Sequence, residues 1–500
     1  MGEDQKGSKS HRPWGMVYVP KGVEEPLKQQ QGVWVSARAL LFLLIILTGA
    51  FISSRWIDLS SVTGTNSIAA STAIFKKSIL PSEVHYAKRQ PDSLVAKPTN
   101  GSRSKTCPEY FRWIHEDLRP WEESGITKEM VEKAEKIAHV RIVVVEGRVY
   151  VKKYKRAFQT RDVFTIWGIL QLLRFYPGRL PDLDFMFECS DRPVIRKYRG
   201  ENVTEKPPVF HYCGSDSTLD IAFPDWSFWG WPELQIKPWN ILKKKIREGN
   251  QKIKWEDREP YAFWKGNTRV SPVRKDLLKC NANAQQDWGA RIFQLNWQHA
   301  RNDKYKSTDL ANQCTHRYKI YVEGAAWSVS EKYILACDSM SLIITPHYYD
   351  FFTRSLIPTV HYWPINEKNK CRSIKFAVDW GNRQPQEAQK IGKAGSQFIQ
   401  EELEMKNVYD YMFYLLSAYG KLLRYKPSVP EGAMEVSPET LTGRGLQKGF
   451  KLSSMVEGPS EVGPCAMPPP YDAEALRSFL EKKTTLIMQV EEWEKQKQEM

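Results

Sequence analysis

The chain has 500 residues, of which 41% are apolar and 12% aromatic, and its formal net charge is +15. This length exceeds one ordinary hydrophobic core, so we expect two domains with extensions. The basic balance is compatible with a nucleic acid, an anionic membrane surface or an anionic substrate. The sequence contains no zinc-finger spacing, helicase loop or RNA-binding signature, so no nucleic-acid partner is predicted.

The first hydrophobic feature is an uncharged run over residues 39–54. It is short for a membrane span, but it is long enough if the preceding valines are included and Arg38 extends to the headgroups. The polar, lysine-containing leader argues against a cleaved signal peptide and favours a cytosolic N-terminus. A buried core helix is the alternative. We predict a single-pass type II membrane protein with three N-terminal parts: a cytosolic tail (1–37), a transmembrane signal anchor (38–55) and a lumenal stem (56–106).

All eight cysteines lie beyond this anchor. An even number in an oxidising lumen indicates disulfides, whose pairing the spacing leaves open. No pair has CxxC spacing, so no zinc site is predicted. Glycosylation sequons begin at Asn100 and Asn202. Because the C-terminus is not an ER-retrieval signal, the predicted location is the Golgi membrane, with the ER as the alternative. The cysteines are Cys107, Cys189, Cys213, Cys280, Cys314, Cys337, Cys371 and Cys465.

Folded sequence is predicted from Cys107 onward, beginning with helical, hairpin and strand patterns. A helix is expected over residues 128–139, a hairpin over 138–152 around a Glu-Gly turn, and a helix over 161–175. A strand over 183–189 is then followed at once by the polar cluster Ser-Asp-Arg-Pro, which contains Asp191. Ligands of open α/β sheets gather at such carboxyl ends. A structural turn is the alternative, because the proline alone can end the strand.

The densest aromatic run in the chain is FPDWSFWGWPE, residues 223–233. Its tryptophans do not fit a simple strand or helix period, and aromatic faces stack on sugar rings while carboxylates hold hydroxyls. A packed loop between domains is the alternative, since tryptophans are common in cores. The candidate sugar-binding residues are Asp225, Trp226, Trp229, Trp231 and Glu233.

A second candidate site follows a predicted strand over residues 261–265. The loop combines a glycine, two arginines and two hydroxyl side chains within nine residues, which is a plausible site for an anion. An ordinary exposed loop is the alternative. The candidate anion-binding residues are Gly266, Arg269, Ser271 and Arg274.

The stretch over residues 318–345 predicts a strand, a turn of small residues, a helix and a second strand. Such a βαβ unit is typical of a parallel sheet covered by helices. We expect the helix to begin at Ser328, with Glu331 as its capping-box partner, and to end near Cys337. Backbone near Gly324 and free N–H groups at the helix start would suit a diphosphate. A purely structural crossover is the alternative.

The rest of the chain contributes one isolated histidine and three further segments. His361 lies near a predicted strand end over residues 360–364, where a structural role is the ordinary expectation. A long helix is predicted over 408–423, and the Pro-, Gly- and Ser-rich residues 426–470 predict a flexible linker. The last thirty residues form an amphipathic pattern, which indicates a docking or self-association helix. Its apolar positions are Leu476, Phe479, Leu480, Leu486, Ile487, Val490 and Trp493.

Five blocks in this order resemble one known family. They read FMFECSDRP, FPDWSFWGWPE, FWKGNTRVSPVRKDLL, YVEGAAWSVSEKYILACDS and the FF…IPTVHYWPI segment. Together they are similar to the Rumi-like protein O-glucosyltransferases, which are related to the fungal capsule-associated xylosyltransferases. Plant members of that family look most similar. The resemblance covers about two thirds of the chain, residues 107–425.

The resemblance implies a GT-B architecture, in which two Rossmann-like lobes face each other across a cleft. It places an acceptor-side lobe at residues 107–245 and a donor lobe at residues 246–425. It also implies transfer of a sugar, glucose or xylose, from a UDP-sugar with inversion at the anomeric carbon. The acceptor would be a hydroxyl of a protein or glycan. No metal or other cofactor would be required.

The same resemblance assigns roles to individual residues. Asp191 would be the catalytic base, and the loop of Gly266, Arg269, Ser271 and Arg274 would hold the diphosphate. Ser328 and its helix would also hold phosphate, with Gly324 in the turn before it, and His361 would lie near the nucleotide. Animal members carry an arginine where we align Glu323 or Ser330, so Lys332 would supply that part of the phosphate contact.

Two other functions remain open from the sequence. Asp182 and Asp184 could act as the metal-binding DxD of a GT-A transferase, although Asp184 also begins an apolar strand. A lumenal lectin or scaffold that kept the aromatic residues but lost turnover is the third interpretation. It would leave Asp191 as an ordinary turn carboxylate.

Overall fold

The structure, a computed structural model, describes residues 105–499. The predicted cytosolic tail, signal anchor, stem and sequon at Asn100 lie outside these residues. Among the helices of the described part, none is long and apolar enough to cross a membrane.

The described chain is of mixed α/β class, with two separate sheets. The strands are β1 (Val140–Val145), β2 (Arg148–Lys153), β3 (Leu183–Phe187), β4 (Val209–His211), β5 (Ile221–Ala222), β6 (Glu259–Gly266), β7 (Ala290–Gln294), β8 (His316–Tyr321), β9 (Met340–Ile344), β10 (Trp363–Ile365) and β11 (Met434–Val436). The helices are α1 (Trp113–Leu118), α2 (Lys128–Lys133), α3 (Arg161–Phe175), α4 (Trp239–Lys252), α5 (Pro272–Leu277), α6 (Trp297–Asn302), α7 (Glu331–Leu335), α8 (Lys370–Arg383), α9 (Pro385–Gln397), α10 (Met405–Leu422), α11 (Pro438–Thr442), α12 (Gly445–Ser453) and α13 (Ala473–Glu499).

The first sheet has the strand order β11-β2-β1-β3-β4-β5. The predicted hairpin is confirmed, because β1 and β2 pair antiparallel around Glu146 and Gly147, whose φ angles are 51° and 75°. Both lie in the left-handed region that a two-residue hairpin turn requires. β3 runs antiparallel to β1 but parallel to β4, and β4 is parallel to β5. The carboxyl ends of β3, β4 and β5 therefore share one edge.

The second sheet is entirely parallel, with the order β10-β9-β8-β6-β7. The predicted βαβ unit is confirmed as β8, α7 and β9. From β6 the chain moves outward to β7 and then returns to β8 on the other side of β6. The winding thus reverses between β6 and β8, and ligands of open parallel sheets bind outside the carboxyl ends at such a point.

After the second sheet the chain returns to the first. α10 packs its buried Tyr411 in the first core, and β11 pairs with β2 as an edge strand. A disulfide joins Cys465 to Cys107. Residues 426–470, predicted to be a flexible linker, therefore contain a strand, two helices and a covalent connection. The chain already returns to the first core with α10, within the residues 246–425 that we expected to form the donor lobe.

The C-terminal helix α13 packs along its own chain. Its Phe479 ring lies 6.3 Å from that of Trp113 in the first core, whereas the Trp493 ring lies 6.2 Å from Trp363 in the second core. Val490 is 1% exposed. Much of the apolar face that we expected to serve self-association is thus used to connect the two sheets.

The cysteines form three disulfides, Cys107–Cys465, Cys280–Cys371 and Cys314–Cys337. Cys189 and Cys213 are free and buried. The expectation of disulfides is confirmed, although the spacing of the cysteines had left their pairing open.

One buried lysine in the second sheet has no carboxylate partner within the described residues. Lys319 on β8 is 4% exposed and donates to the Gln313 carbonyl at 3.2 Å and to the Cys337 sulfur at 3.5 Å. Burial, assisted by the positive charge of Arg258, lowers the pKa of Lys319 to about 7. The unfolded chain, with an ordinary lysine pKa near 10.4, binds this proton more tightly than the folded chain.

Lys319→Met should therefore stabilise the protein most at low pH. In the wild type, protonation of buried Lys319 lowers the free energy of unfolding. Because the pKa of Lys319 is depressed in the folded protein, this loss is absent above the unfolded pKa, grows as pH falls towards 7 and is complete below pH 7. Thermal unfolding should give a melting temperature several degrees above wild type at pH 6, with the difference shrinking by pH 9. The exposed Lys244→Met is the control. A difference independent of pH would contradict the prediction.

Candidate active site

The carboxyl end of β3 presents Asp191 to solvent. Its side chain is 44% exposed, and its Oδ1 accepts a hydrogen bond from Arg161 at 2.9 Å. Arg161 is the first residue of α3 and its side chain is only 6% exposed. The carboxylate is thus held on one side and open on the other.

A buried carboxylate lies beneath this turn. Glu188 contacts His139 Nδ1 at 2.9 Å and His211 Nε2 at 3.0 Å, and it accepts from both the backbone and the hydroxyl of Ser190, at 2.8 and 2.6 Å. Burial opposes ionisation of Glu188, yet the hydrogen bonds from His139, His211 and Ser190 outweigh it. They hold the pKa of this carboxyl well below its usual range. The residues just before Asp191 are therefore tightly fixed.

The loop after β6 and the turn after β8 meet where the winding of the second sheet reverses. Ser271 caps α5, accepting from the Arg274 backbone at 3.4 Å, and its hydroxyl lies 3.4 Å from the Glu323 carbonyl. A Cβ built on Gly324 would come within 3.6 Å of the Arg274 guanidinium. The two predicted phosphate-binding segments are thus brought together, with Gly266 at the end of β6.

The two arginines of this loop differ sharply. Arg274 is buried and donates to the carbonyls of Val322 and Glu323 at 3.1 and 2.9 Å and to the Ser328 hydroxyl at 2.9 Å. Burial lowers the pKa of Arg274, and the Tyr321 and Asp191 charges oppose that effect. Arg274 makes no ion pair within the described part of the chain, so its charge stays uncompensated while it fixes the turn.

Arg269 is exposed. Its backbone N–H donates to Asn267 at 3.0 Å, and its guanidinium makes no hydrogen bond or ion pair with residues 105–499. It is thus free to meet an anion in this loop.

Ser328 does not begin the helix as predicted. α7 begins at Glu331 and has only five residues, and its N-cap is Ser330, which makes no side-chain capping bond. The Ser328 hydroxyl instead accepts from Arg274, and its N–H donates to the Tyr321 hydroxyl at 3.0 Å. A phosphate site on the amino end of this helix is therefore not supported.

The two site edges face each other and touch. Arg192, next to Asp191, donates from Nε to the Ala325 carbonyl in the turn after β8, at 3.0 Å. Trp327 from the same turn packs its ring 6.3 Å from that of Trp226. The Asp191 turn, the turn after β8 and the loop after β6 are thus neighbours, and we call the region between them the crevice.

Two residues predicted to bind different ligands instead bind each other. Lys332 donates to Asp225 at 2.6 Å, and the side chains are 2% and 4% exposed. Asp225 also accepts from the Ser227 backbone at 2.8 Å. Neither the phosphate contact predicted for Lys332 nor the hydroxyl contact predicted for Asp225 is available. Their pair connects the two halves of the molecule.

The aromatic block divides between core and crevice. Trp229 is fully buried, packs on Gly168 and donates to Tyr409 at 3.0 Å, so its predicted sugar contact is not supported. Trp226 is buried beneath the Arg161 guanidinium, which lies 4.3 Å from the ring centroid.

Trp231 and Glu233 remain half-buried beside that pair. Trp231 donates to Gln159 at 2.8 Å, and Glu233 accepts from Thr160 at 3.0 Å. These two residues are the part of the aromatic block that a sugar could still contact.

His361 lies away from the crevice. It precedes β10, so it is at the amino edge of the second sheet, opposite Gly266 and Gly324. Its Nδ1 accepts from the Ile357 backbone at 3.0 Å and its ring packs 5.4 Å from Phe398. Burial and the nearby Lys483 lower the pKa of His361 to about 4. The structure therefore does not bring His361 near the loops of Gly266 and Gly324, which were predicted to bind the nucleotide.

The acidic pair of the GT-A alternative is structural. Asp184 is 1% exposed and makes two hydrogen bonds of 2.7 Å with Arg141 and one of 2.9 Å with Tyr425. Asp182 accepts from the Glu146 backbone in the hairpin turn at 2.9 Å. Both precede or begin β3, at the edge opposite Asp191, so this arrangement does not form a metal-binding DxD.

The predicted sequon at Asn202 is on the surface. Asn202 is exposed, and its side-chain oxygen accepts from the backbone and hydroxyl of Thr204 at 3.1 and 2.7 Å. The side chain is accessible for modification.

The sequence profile of glycosyl transferase family 90 matches residues 102–494, more than three quarters of the chain. This protein belongs to glycosyl transferase family 90. Among curated proteins, it is 27% identical to the O-glucosyltransferase rumi homolog of Anopheles gambiae over 338 residues, 64% of this chain and 80% of the relative. It is 25% identical to human Protein O-glucosyltransferase 1 over 350 residues, which are 68% of this chain and 86% of the relative. The family resemblance seen in the sequence is confirmed, and the chain is a glycosyltransferase.

Several residues of this family 90 site were not found from the sequence. Arg161 begins a helix thirty residues before Asp191 in the chain, and no local motif marks it. Glu188 was read only as part of an apolar strand, and Trp327 only as part of a block that resembles the family. A polar residue flanked by apolar strand residues, as in Phe-Glu-Cys, was the one available signal for Glu188.

The pair of Asp225 and Lys332 makes a structural prediction for this glycosyltransferase. Asp225→Leu leaves a buried ammonium without its carboxylate and should lower the free energy of unfolding by about 3–5 kcal/mol. Urea denaturation would measure it. Adding Lys332→Met should restore most of the loss, because the unpaired ammonium is then removed.

Glu387→Leu is the matched control, since Glu387 forms an exposed pair with Lys390 at 3.7 Å. Exposed pairs contribute at most about 1 kcal/mol. If Asp225→Leu cost no more than this control, the pair would not have the structural role we assign.

Proposed function

We propose that this protein is an inverting glycosyltransferase of GT-B architecture. It moves a sugar, glucose or xylose, from a UDP-sugar to a hydroxyl of a protein or glycan acceptor. One observation carries the proposal: the turn after β8 is held from one side by Arg192, next to the half-exposed carboxylate of Asp191, and from the other side by Arg274 of the loop that also contains Arg269. The rumi and Protein O-glucosyltransferase 1 relatives are named O-glucosyltransferases, which supports the reaction class.

In the proposed reaction Asp191 takes the proton of the acceptor hydroxyl as its oxygen attacks the anomeric carbon. The bond from that carbon to the β-phosphate oxygen breaks, and UDP leaves with the bonding electrons. Attack from the side opposite the leaving group inverts the configuration. Inversion thus needs the base and the diphosphate on opposite sides of the sugar.

Arg269 and Arg274 are proposed to have different roles at the diphosphate. Arg269 is proposed to contact it directly, because its guanidinium has no other partner among residues 105–499. Arg274 is proposed to act mainly by shaping the turn of residues 322–328 and by adding a buried positive charge near the leaving group. Backbone near Gly266 and Gly324 would allow close approach.

The acceptor is proposed to lie along Trp231 and Glu233, beside Asp191. An aromatic face stacks on apolar sugar or peptide surface, and the carboxylate can hold hydroxyls. No resident metal is required in this proposal, because the arginines supply the positive charge that a metal otherwise would.

We further propose that the protein resides in the secretory pathway. Three disulfides are typical of a protein that matures in an oxidising lumen. With the signal anchor at residues 38–55, the enzyme would be a type II protein of the Golgi membrane, and similarity to the plant branch stays a prediction.

Arg269→Ala should weaken UDP binding by about tenfold or more, because a charge-assisted contact with the diphosphate is lost. Calorimetric titration with UDP measures this, and Arg383→Ala, exposed at the opposite edge of the second sheet, is the control. Addition of EDTA should leave wild-type affinity unchanged. Wild-type protein that is folded but does not bind UDP would favour the lectin or scaffold interpretation instead.

Asp191→Asn should reduce turnover by about 10²–10⁴-fold while UDP binding stays at the wild-type level, since a general base is removed and the donor loop is intact. Initial rates of sugar transfer, with UDP release as the readout, measure it once a donor has been identified by binding. Asp182→Asn is the control and should retain turnover. Substantial residual transfer in Asp191→Asn would remove it as the base.

A further inference from the structure

Arg161 makes an unusual set of contacts for a buried cation. One Nη donates to Asp191 Oδ1 at 2.9 Å and also to the Cys189 carbonyl at 3.2 Å. Its guanidinium lies 4.3 Å from the centroid of Trp226. Two of these contacts hold one Nη and the third packs the guanidinium on the Trp226 ring, so together they restrict its position and its plane.

The pairing leaves the two carboxylate oxygens of Asp191 in different states. Oδ1 is bound by Arg161, whereas Oδ2 accepts no hydrogen bond from residues 105–499, and the side chain is 44% exposed. A carboxylate on an exposed turn would otherwise rotate about its own side-chain bonds. With Oδ1 held, Oδ2 keeps its lone pairs free of partners among residues 105–499.

The arrangement is not what stability alone would favour. The Nε of Arg161 is buried without a hydrogen-bond partner in the described chain. Leaving a buried donor unsatisfied opposes folding. An apolar side chain of similar length would avoid that penalty, so the presence of arginine here calls for a role beyond packing.

The two residues before Arg161 fix the neighbouring wall of the crevice. Gln159 accepts from Trp231 at 2.8 Å, and Thr160 donates to Glu233 at 3.0 Å. Gln159 has φ 57°, a left-handed conformation that is uncommon outside glycine. Three consecutive side chains thus hold three crevice residues that come from two other segments.

We propose that Arg161 is the positioning residue for the base: it holds Asp191 Oδ1 so that Oδ2 receives the acceptor proton. This inference rests on the proposed function, in which Asp191 is the base. Arg161 does not contact the reacting atoms. It acts by restricting the carboxylate to one orientation. Gln159 and Thr160 hold Trp231 and Glu233, the proposed acceptor contacts, in the same region.

The test compares Arg161→Met with wild type in the full-length protein. Methionine preserves much of the length and removes the unsatisfied donor, so the melting temperature should be equal or higher. The value of kcat should fall about 10²-fold, the scale of a misplaced catalytic group. The affinity for UDP should not change, because the donor loop is untouched.

Two further variants separate positioning from packing. Arg161→Ala should lose turnover similarly, and added guanidinium ion should restore part of its kcat, which a packing defect would not allow. Arg156→Met, an exposed arginine in the preceding segment, is the control for lost charge and should retain wild-type kcat.

The outcomes also separate this inference from the function on which it depends. If Asp191→Asn is inactive while Arg161→Met keeps wild-type kcat, the inference is wrong and the proposed function stands. If all Arg161 variants unfold, or guanidinium restores nothing to a folded Arg161→Ala, the residue is structural and the inference is overturned. If wild type binds no UDP, the proposed function itself fails.

Discussion

The buried ion pair between Lys332 and Asp225 determines how the two sheets meet. It lies between the aromatic block of the first sheet and the short helix after β8, with both side chains almost completely excluded from solvent. Buried pairs often add little net stability, because desolvation offsets the attraction between the charges. The two charged groups must nevertheless stay in contact, because displacement of either one leaves a buried charge unpaired. The pair therefore fixes the relative position of the Asp191 turn and the turn of residues 322–328, on which the crevice depends.

Around this fixed frame, the polar groups of the crevice fall into two classes. Glu188, Arg274 and Ser328 are engaged within the protein and hold backbone turns in place. Asp191 and Arg269 keep free atoms that face solvent. A site in which the supporting groups are satisfied and a carboxylate and a guanidinium are left open has the preorganisation that the proposed substrate requires, with a hydroxyl on one side and an anion on the other.

The sequence predicted the parts of the fold that are governed by local patterns. The hairpin, the helix Arg161–Phe175 and the strands flanking α7 follow from periodicity and turn residues, which act within a few positions. The loop after β6 was recognised because its glycine, serine and arginines are adjacent in the chain.

The failures have a common physical cause, namely contacts between residues far apart in sequence. Nothing near Lys332 indicates that its partner is Asp225, more than a hundred residues away, and nothing near Arg161 indicates Asp191. The family resemblance placed His361 near the nucleotide, whereas it lies at the amino edge of the second sheet, which depends on the direction of β10 and is not revealed by the local sequence. Residues 426–470 were read as a linker from their proline, glycine and serine content, yet they contain a strand that pairs with β2 and the cysteine that bonds to Cys107.

The disulfide between Cys107 and Cys465 has a consequence for how the protein is made. The first sheet lacks the helix α10, an edge strand and the covalent partner of Cys107 until residues 405–465 have left the ribosome. The second sheet, whose strands end at Ile365, has all its strands much earlier. The half that is synthesised second can therefore complete its sheet first, whereas the half synthesised first has neither its edge strand nor the disulfide partner of Cys107 until that segment arrives. The two sheets are thus completed in the reverse of their order in the sequence.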